Sequence, residues 1–330
     1  METLILSDEE VKGLLSMRDV IEAVELAFRE KALGHVQMPP KIYLFFKKYN
    51  GDLRAMPAYL EDMDISAVKI VNVHPENREK YGLPTVMAVI ILVDPKNGTP
   101  IAVMSGKTIT DMRTGAAGGV SAKYLARKNP KIVGLVGAGA QARTQLAALL
   151  EVYRSLEEVR VWSPGKTKYE FMAEMKTKYG SICKIIPVET VREAVEGADI
   201  VATTTPSRRP LVMGDMVSPG THFNCIGADA PGKEELDPLI LKRAKIVVDD
   251  SEQASHSGEI NVPLSRGLIT REDIWAEIGE IVAGKKPGRT SDHEITIFVS
   301  TGLAIQDAVT ANLVYRKALD KGVGRTLKII

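Results

Sequence analysis

The chain has 330 residues, 45% of them hydrophobic and 26% charged. This is the composition of an ordinary globular protein, long enough for two domains at roughly 100–200 residues each. It excludes a mostly disordered chain, a fibre and a small disulfide scaffold. Lys plus Arg is 43 and Asp plus Glu is 42, so the net charge is +1. The basic excess of a nucleic-acid binder is therefore missing, and no nucleic-acid partner is expected.

The pattern begins with two helix starts. Ser7-Asp8-Glu9-Glu10 reads as a capping box, and Ser16-Met17-Arg18-Asp19 repeats it with Asp in the Glu position. Val20, Ile21, Val24, Ala27 and Phe28 then mark one apolar helical face, closed by Gly34. Extended runs over 41–48 and 53–60 flank Asn50-Gly51, a strong hairpin signal because both residues tolerate positive φ. Runs over 85–93 and 99–104 flank Asp94-Pro95-Lys96-Asn97-Gly98 as a second hairpin. Residues 108–127 read as a helix whose small residues, Gly115 to Gly119, suit tight packing.

At Asn129-Pro130 the pattern changes. Strands predicted at 132–136, 159–162, 182–187, 200–203, 222–226 and 246–248 alternate with helical stretches, the signature of βαβ units and a parallel sheet. Residues 302–322 turn helical again and are expected to pack on the first third. The fold class is therefore α/β, a Rossmann-type parallel-sheet domain over 129–305 plus an α+β domain built from both chain ends, 1–128 and 306–330. No apolar run is long enough to span a membrane. Cys183 and Cys225 lie far apart without metal-like spacing. With no signal peptide legible at the N-terminus, a cytoplasmic setting is expected.

The run Ile132-Val133-Gly134-Leu135-Val136-Gly137-Ala138-Gly139-Ala140-Gln141-Ala142 ends the first of these strands and opens a helix. In that context the glycines mark a dinucleotide site. Gly137 permits the tight turn, Gly139 lets a pyrophosphate approach, and Ala142 takes the position where helix and strand touch. Ala140 and Gln141 stand at the helix N-terminus, which favours anions. The second strand runs into Ser163, where an acid would reject a 2′-phosphate. Lys166 and Lys168 follow as possible attractors, although both also suit a solvated helix start. The expected cofactor is NADP or NAD, with both accepted.

Several segments then resemble the ornithine cyclodeaminase/mu-crystallin family, most closely its archaeal alanine dehydrogenase-like branch. They are Leu53-Arg54-Ala55-Met56-Pro57-Ala58, Lys69-Ile70-Val71-Asn72-Val73-His74-Pro75, Gly82-Leu83-Pro84-Thr85 and Met112-Arg113-Thr114-Gly115-Ala116-Ala117, followed by the run from Gly227 to Leu236 and that from Ser300 to Asp307. The resemblance covers nearly the whole chain in order. It implies a homodimer, a bound nicotinamide cofactor and a substrate domain in the first third. The shared chemistry is hydride transfer at a carbon bearing nitrogen, next to a carboxylate. Arg113 matches the family's carboxylate-binding arginine, with Lys41 as helper, and Lys69 and Asp229 match its acid/base positions. Further cofactor contacts are expected at Thr204, Ile226, Gly227, Ala228 and Ser300.

Two departures matter. Arg54 stands where ornithine cyclodeaminases place Glu, and its charge would repel a distal ammonium. Val299 stands where many relatives carry Asp. The reading favoured is an NAD(P)-dependent oxidoreductase that reduces a cyclic α-imino acid, first 1-pyrroline-2-carboxylate to L-proline. Alanine dehydrogenase stands close behind, and a cyclodeaminase or a non-catalytic small-molecule binder are the further alternatives. No metal site is expected.

Overall fold

A computed structural model describes residues 2–329. The chain divides into two compact units, one of residues 1–113 and 303–330, the other of residues 114–302. The division falls at Arg113/Thr114 and after Gly302, whereas the sequence pattern changes at Asn129-Pro130.

In the first unit, β1 (Glu2–Leu6) leads into α1 (Asp8–Leu14) and α2 (Met17–Leu33). The Ser7 hydroxyl accepts from the Glu10 amide while Glu10 accepts from the Ser7 amide, so the capping box forms as read. Ser16 accepts from the Asp19 amide, and Gly34 ends α2 in the left-handed region with φ 87°. The short β2 (Val36–Gln37) and β3 (Ile42–Phe46) both pair antiparallel with β4 (Gly51–Leu60). At the turn between β3 and β4, Asn50 takes φ 46°. β5 (Ile65–Val73), a short α3 (Asn77–Tyr81), β6 (Val86–Val93) and β7 (Pro100–Ser105) follow. The helix α4 (Lys107–Leu125) begins in this unit. From the chain's other end come α12 (Ala304–Lys321) and β18 (Arg325–Lys328). The sheet order is β18-β1-β7-β6-β5-β4-β2, with β3 on β4, and only the β1–β7 pair is parallel. As expected, α12 packs back on α2, β4 and β5. Its first turns are buried on every side, polar residues included.

The second unit is a doubly wound domain. Eight parallel strands run in the order β10-β9-β8-β11-β13-β17-β15-β16. They are β8 (Ile132–Val136), β9 (Glu158–Trp162), β10 (Lys184–Pro187), β11 (Ile200–Thr203), β13 (His222–Cys225), β15 (Ala244–Val248), β16 (Ile274–Glu277) and β17 (Ile295–Val299). A separate two-stranded sheet joins β12 (Arg208–Val212) to β14 (Glu234–Leu236). The principal helix α5 (Ala140–Val152) follows β8, and α6 (Thr167–Tyr179) follows β9. The shorter helices are α7 (Val191–Val195), α8 (Pro238–Leu241), α9 (Ser251–Ser257), α10 (Asn261–Ser265) and α11 (Ile278–Val282). Val133, Leu135, Leu146, Val159, Val161 and Phe171 form one apolar core with no exposure. Phe223, Ile246, Ile297 and Val299 belong to a second. Gly115 and Gly118 leave no room for a Cβ against Thr144 and Gln145 of α5, which is the tight packing that the small residues of α4 suggest. Chain order reverses direction at β8, whose neighbours are β9 and β11. Ligands of such sheets bind at the carboxyl ends of the strands at that switch point.

Among the described residues no helix is long and apolar enough to cross a membrane.

Candidate active site

In the first unit, two of the candidate residues, Lys69 and Arg113, meet below the surface at a third charged side chain, Asp307, that was not among the candidates. Lys69 points from β5 and is 1% exposed. Its Nζ lies 2.6 Å from Oδ2 of Asp307 on α12, and it donates to Thr110 Oγ1 at 3.4 Å. Arg113 of α4 donates through Nε to Oδ1 of the same Asp307 at 3.0 Å, and through Nη1 to Gln306 Oε1 at 3.0 Å. One carboxylate thus bridges an ammonium and a guanidinium. Burial pushes the Lys69 pKa down, the positive charges of Arg113 and Lys41 push the same way, and Asp307 pulls it back up; the balance is about 7. Lys41, half-buried ahead of β3, joins the group through this field rather than through a contact with Lys69.

Arg54 is buried on β4 and forked onto Asp52, Nε to Oδ1 at 2.9 Å and Nη2 to Oδ2 at 3.1 Å. It also lies over the Tyr43 ring, 5.4 Å from its centroid. This corrects the expectation of an unbalanced charge at 54: Asp52 neutralises it, and the repulsion of a distal ammonium is correspondingly weaker. What still disfavours such a group is the absence of an acid at that position.

Gln306 and Asp307 were legible only as part of a family segment. A Gln-Asp pair opening an apolar helix reads as first-turn polarity, which the helix dipole explains locally. The signal for a site is that these polar residues sit where the helix is buried all round.

A second cluster also forms in this unit. Glu30 Oε2 and Asp62 Oδ2 lie 2.9 and 2.8 Å from Nδ1 of His35. Spacing in the sequence did not indicate this grouping. Both carboxylates address the same ring nitrogen, and Glu30 first of all raises the His35 pKa. This is an environment that favours the protonated imidazolium.

In the second unit, the carboxyl ends of the parallel strands carry the residues singled out for a dinucleotide. Gly137 closes the turn after β8 with φ 119°. Gly139 caps α5 with no side-chain hydrogen bond, and a Cβ built there would meet nothing within 4 Å. There is thus room beside the start of a thirteen-residue helix, whose first amides suit a pyrophosphate. Thr204 continues β11, its amide on Val136 O at 2.9 Å, and Ile226 and Gly227 continue β13, their amides on Thr203 O. Ser300 follows β17, and its buried Oγ has no hydrogen-bond partner among the described residues. A bare backbone cradle and an unspent buried hydroxyl on the same sheet edge fit a dinucleotide.

At the ribose end, the Ser163 hydroxyl pairs with Thr167 Oγ1 at 2.6 Å. Lys168 is not a solvated helix-start residue. It is buried, with Nζ 2.6 Å from Glu189 Oε2 and 3.0 Å from Val188 O, so its charge is already answered. Lys166, at the start of α6, is exposed. Asp229 follows β13 on a short loop and is paired with Lys233 at 2.5 Å.

Val299, the second departure, is a buried core residue of β17. The loop after it is anchored from the neighbouring strand instead. Asp249, at the end of β15, accepts from the amides of Thr301 at 2.6 Å and Gly302 at 2.8 Å, and from the Thr301 hydroxyl.

The family model for the ornithine cyclodeaminase/mu-crystallin family matches residues 1–322. The chain belongs to that family. An alanine dehydrogenase of Archaeoglobus fulgidus is 54% identical over 331 residues, covering 99% of each chain. Among solved structures, an archaeal alanine dehydrogenase dimer with bound NAD superposes with a TM-score of 0.95 at 53% identity, covering 100% of both chains. The Thermococcus litoralis Δ1-pyrroline-2-carboxylate reductase in complex with NADH and L-proline gives a TM-score of 0.95 at 46% identity, covering 98% of this chain and 100% of that one.

Proposed function

We propose that this family member is a nicotinamide-dependent oxidoreductase that reduces a small α-imino acid to the L-amino acid, with 1-pyrroline-2-carboxylate to L-proline as the leading pair. The observation that carries the reading is the buried Lys69–Asp307–Arg113 cluster. When bound, the nicotinamide supplies the hydride. An imine carbon accepts hydride readily only when its nitrogen is protonated, so the protein must hold a proton that it can release near neutral pH. Lys69, depressed to about 7, is such a donor, whereas an ordinary lysine is not. Arg113 presents a planar fork whose Nε and Nη1 are fixed by Asp307 and Gln306, which leaves the Nη2 side to meet a carboxylate. Asp307 keeps the two cations together and sets the Lys69 proton affinity. Asp229, after β13, is the second acid/base candidate.

A cyclic imine brings its nitrogen covalently attached, so no ammonia need be captured. The alanine dehydrogenase reading stands second, favoured by the 54% identical relative, and asks the same residues to serve the imine of pyruvate. The test is NADH and NADPH oxidation by the purified protein with 1-pyrroline-2-carboxylate, 1-piperideine-2-carboxylate, or pyruvate plus ammonium, with products identified. Proline formed fastest supports the first reading, and alanine formed far faster promotes the second. Proline formed from ornithine at matching rates overturns both.

A homodimer is part of the proposal. The archaeal relative is a dimer, and β3 exposes Ile42, Leu44 and Phe45, each by more than half of its surface, as an apolar strand that a second copy would cover. Two buried free cysteines, Cys183 and Cys225, fit a reducing cytoplasm.

A further inference from the structure

Asp229 lies on a loop whose conformation is set by a residue that touches neither proton nor hydride in the scheme above. The loop leaves β13 at Ile226. The next residue, Gly227, shares its amide between Thr203 O at 3.1 Å and Glu235 Oε2 at 3.0 Å, and its carbonyl accepts the Asp229 amide at 3.0 Å. The other oxygen of Glu235 accepts from the Thr205 amide and the Thr205 hydroxyl, both at 2.7 Å. One carboxylate thus ties the segment after β11 to the segment after β13. Glu235 has no exposure, and its own amide is held by Glu259 Oε1 at 2.7 Å, beside that of Leu236 at 2.6 Å. The far end of the loop is also fixed, by Gly232 donating to Asn261 Oδ1 at 2.9 Å. A Cβ at Gly227 would collide with Thr205 and with Glu235 itself, so the approach is as close as backbone allows.

We propose that Glu235 is a positioning residue for the reduction: through Gly227 its carboxylate holds the backbone of Asp229 where the reaction needs it. This rests on the reading of Asp229 as an acid/base participant. The chemistry demands a carboxylate. Both oxygens accept from backbone N–H groups, so a carboxamide that keeps its oxygen on Thr205 must turn an N–H donor towards the Gly227 amide, which would then keep only its longer bond to Thr203 O at 3.1 Å and lose its tie to residue 235. A purely structural glutamate would lower stability and leave the reaction's dependence on Asp229 untouched. A positioning glutamate acts only through Asp229.

The experiment is a double-mutant cycle on the full-length protein, with kcat and KM for the imino acid, NADH binding by fluorescence and thermal melting recorded for each variant. The expected losses are about a hundredfold in kcat for Asp229→Asn and about tenfold or more for Glu235→Gln, with KM and NADH affinity changed by less than about threefold. In the Asp229→Asn background, Glu235→Gln should cost less than about twofold more. Thr205→Val removes one donor of the same clamp without touching the carboxylate. It should lower kcat by about threefold, again only when Asp229 is present, and it serves if Glu235→Gln does not fold. Near-normal kcat in Asp229→Asn overturns the role of Asp229 and this proposal with it. An impaired Asp229→Asn in which the clamp substitution is fully additive, or a clamp substitution that leaves kcat intact, overturns the positioning role alone.

Discussion

Replacing Asp307 with asparagine tests the electrostatic core of the proposed chemistry. The carboxylate lies 2.6 Å from the Lys69 nitrogen, and a unit charge at that distance is worth ~6 kcal/mol at an effective dielectric of ~20. The carboxamide keeps the volume and one acceptor, and Arg113 stays nearby, so only part of this is lost. Even a third, ~2 kcal/mol, moves a pKa by ~1.5 pH units. The sign follows from which form is charged. Asp307 favours protonated Lys69, so its removal lowers the Lys69 pKa below its present value of about 7. In reduction, Lys69 must be protonated, so kcat/KM is full below its pKa and falls above it. In oxidation of the amino acid, the amine must be neutral, so the rate rises through the same pKa. The substitution should therefore carry both limbs towards acid by a pH unit or more, to below about 6. The assay is the pH profile of kcat/KM in both directions, with thermal melts to confirm a folded protein. Limbs that stay at their wild-type position in folded Asp307→Asn would refute the assignment of Lys69 as the proton donor.

Arg113→Lys keeps the charge but loses the fork, and kcat/KM should fall tenfold or more, about 1.4 kcal/mol, with NADH affinity little changed. Lys69→Met removes a buried cation while leaving Asp307 paired with Arg113, so activity should fall at least about a hundredfold without a lower melting temperature. Because the folded pKa of Lys69 is depressed, the wild type gains stability as pH rises from about 7 towards the ordinary lysine value, so any advantage of Lys69→Met should be largest below pH 7 and shrink above it. With Ser163 in place of an acid, NADPH should serve at least comparably to NADH; an NADH preference above about a hundredfold, roughly 2.7 kcal/mol, would contradict this, and Ser163→Asp should shift the preference to NADH. Since Lys168 is already paired with Glu189, Lys166→Ala should weaken NADPH use while Lys168→Ala should not do so selectively.

Much of the scaffold is written in local pattern. The capping box at Ser7, the N-cap at Ser16, the turn at Asn50-Gly51 and the run from Ile132 to Gly139 are short-range devices, each stabilised by neighbours in sequence. The strand Ile295–Val299 was not among the strands predicted. A parallel strand buried on both faces shows no alternation, and its five residues run straight into Ser300-Thr301-Gly302, which resembles the approach to a helix. The pair β12 and β14 was equally hidden, because Arg208, Arg209, Glu234 and Glu235 carry no strand signal and are placed by tertiary contacts. The site divides in the same way. Lys69, Arg113 and Asp229 were candidates because residue types in a family pattern pointed to them. Asp307, Asp249 and Glu235 are acids whose partners lie far off in sequence. Nothing local distinguishes them from solvated carboxylates until the fold brings two cations or several amides to each.

The first unit takes strands from the start of the chain and its longest buried helix from the end. During synthesis, Lys69 and Arg113 leave the ribosome long before Asp307. At ~5–20 residues per second the intervening residues 114–302 take roughly ten to forty seconds. Throughout that interval the two cations lack their counter-ion, and β4 and β5 lack the helix that covers them. The face of the sheet that α12 covers, and the pairing of Lys69 and Arg113 with Asp307, are therefore completed last. On the proposed chemistry, a chain cut short before Ala304 would lack Asp307, and with it the one carboxylate that pairs both Lys69 and Arg113, so the last residues synthesised complete the candidate site.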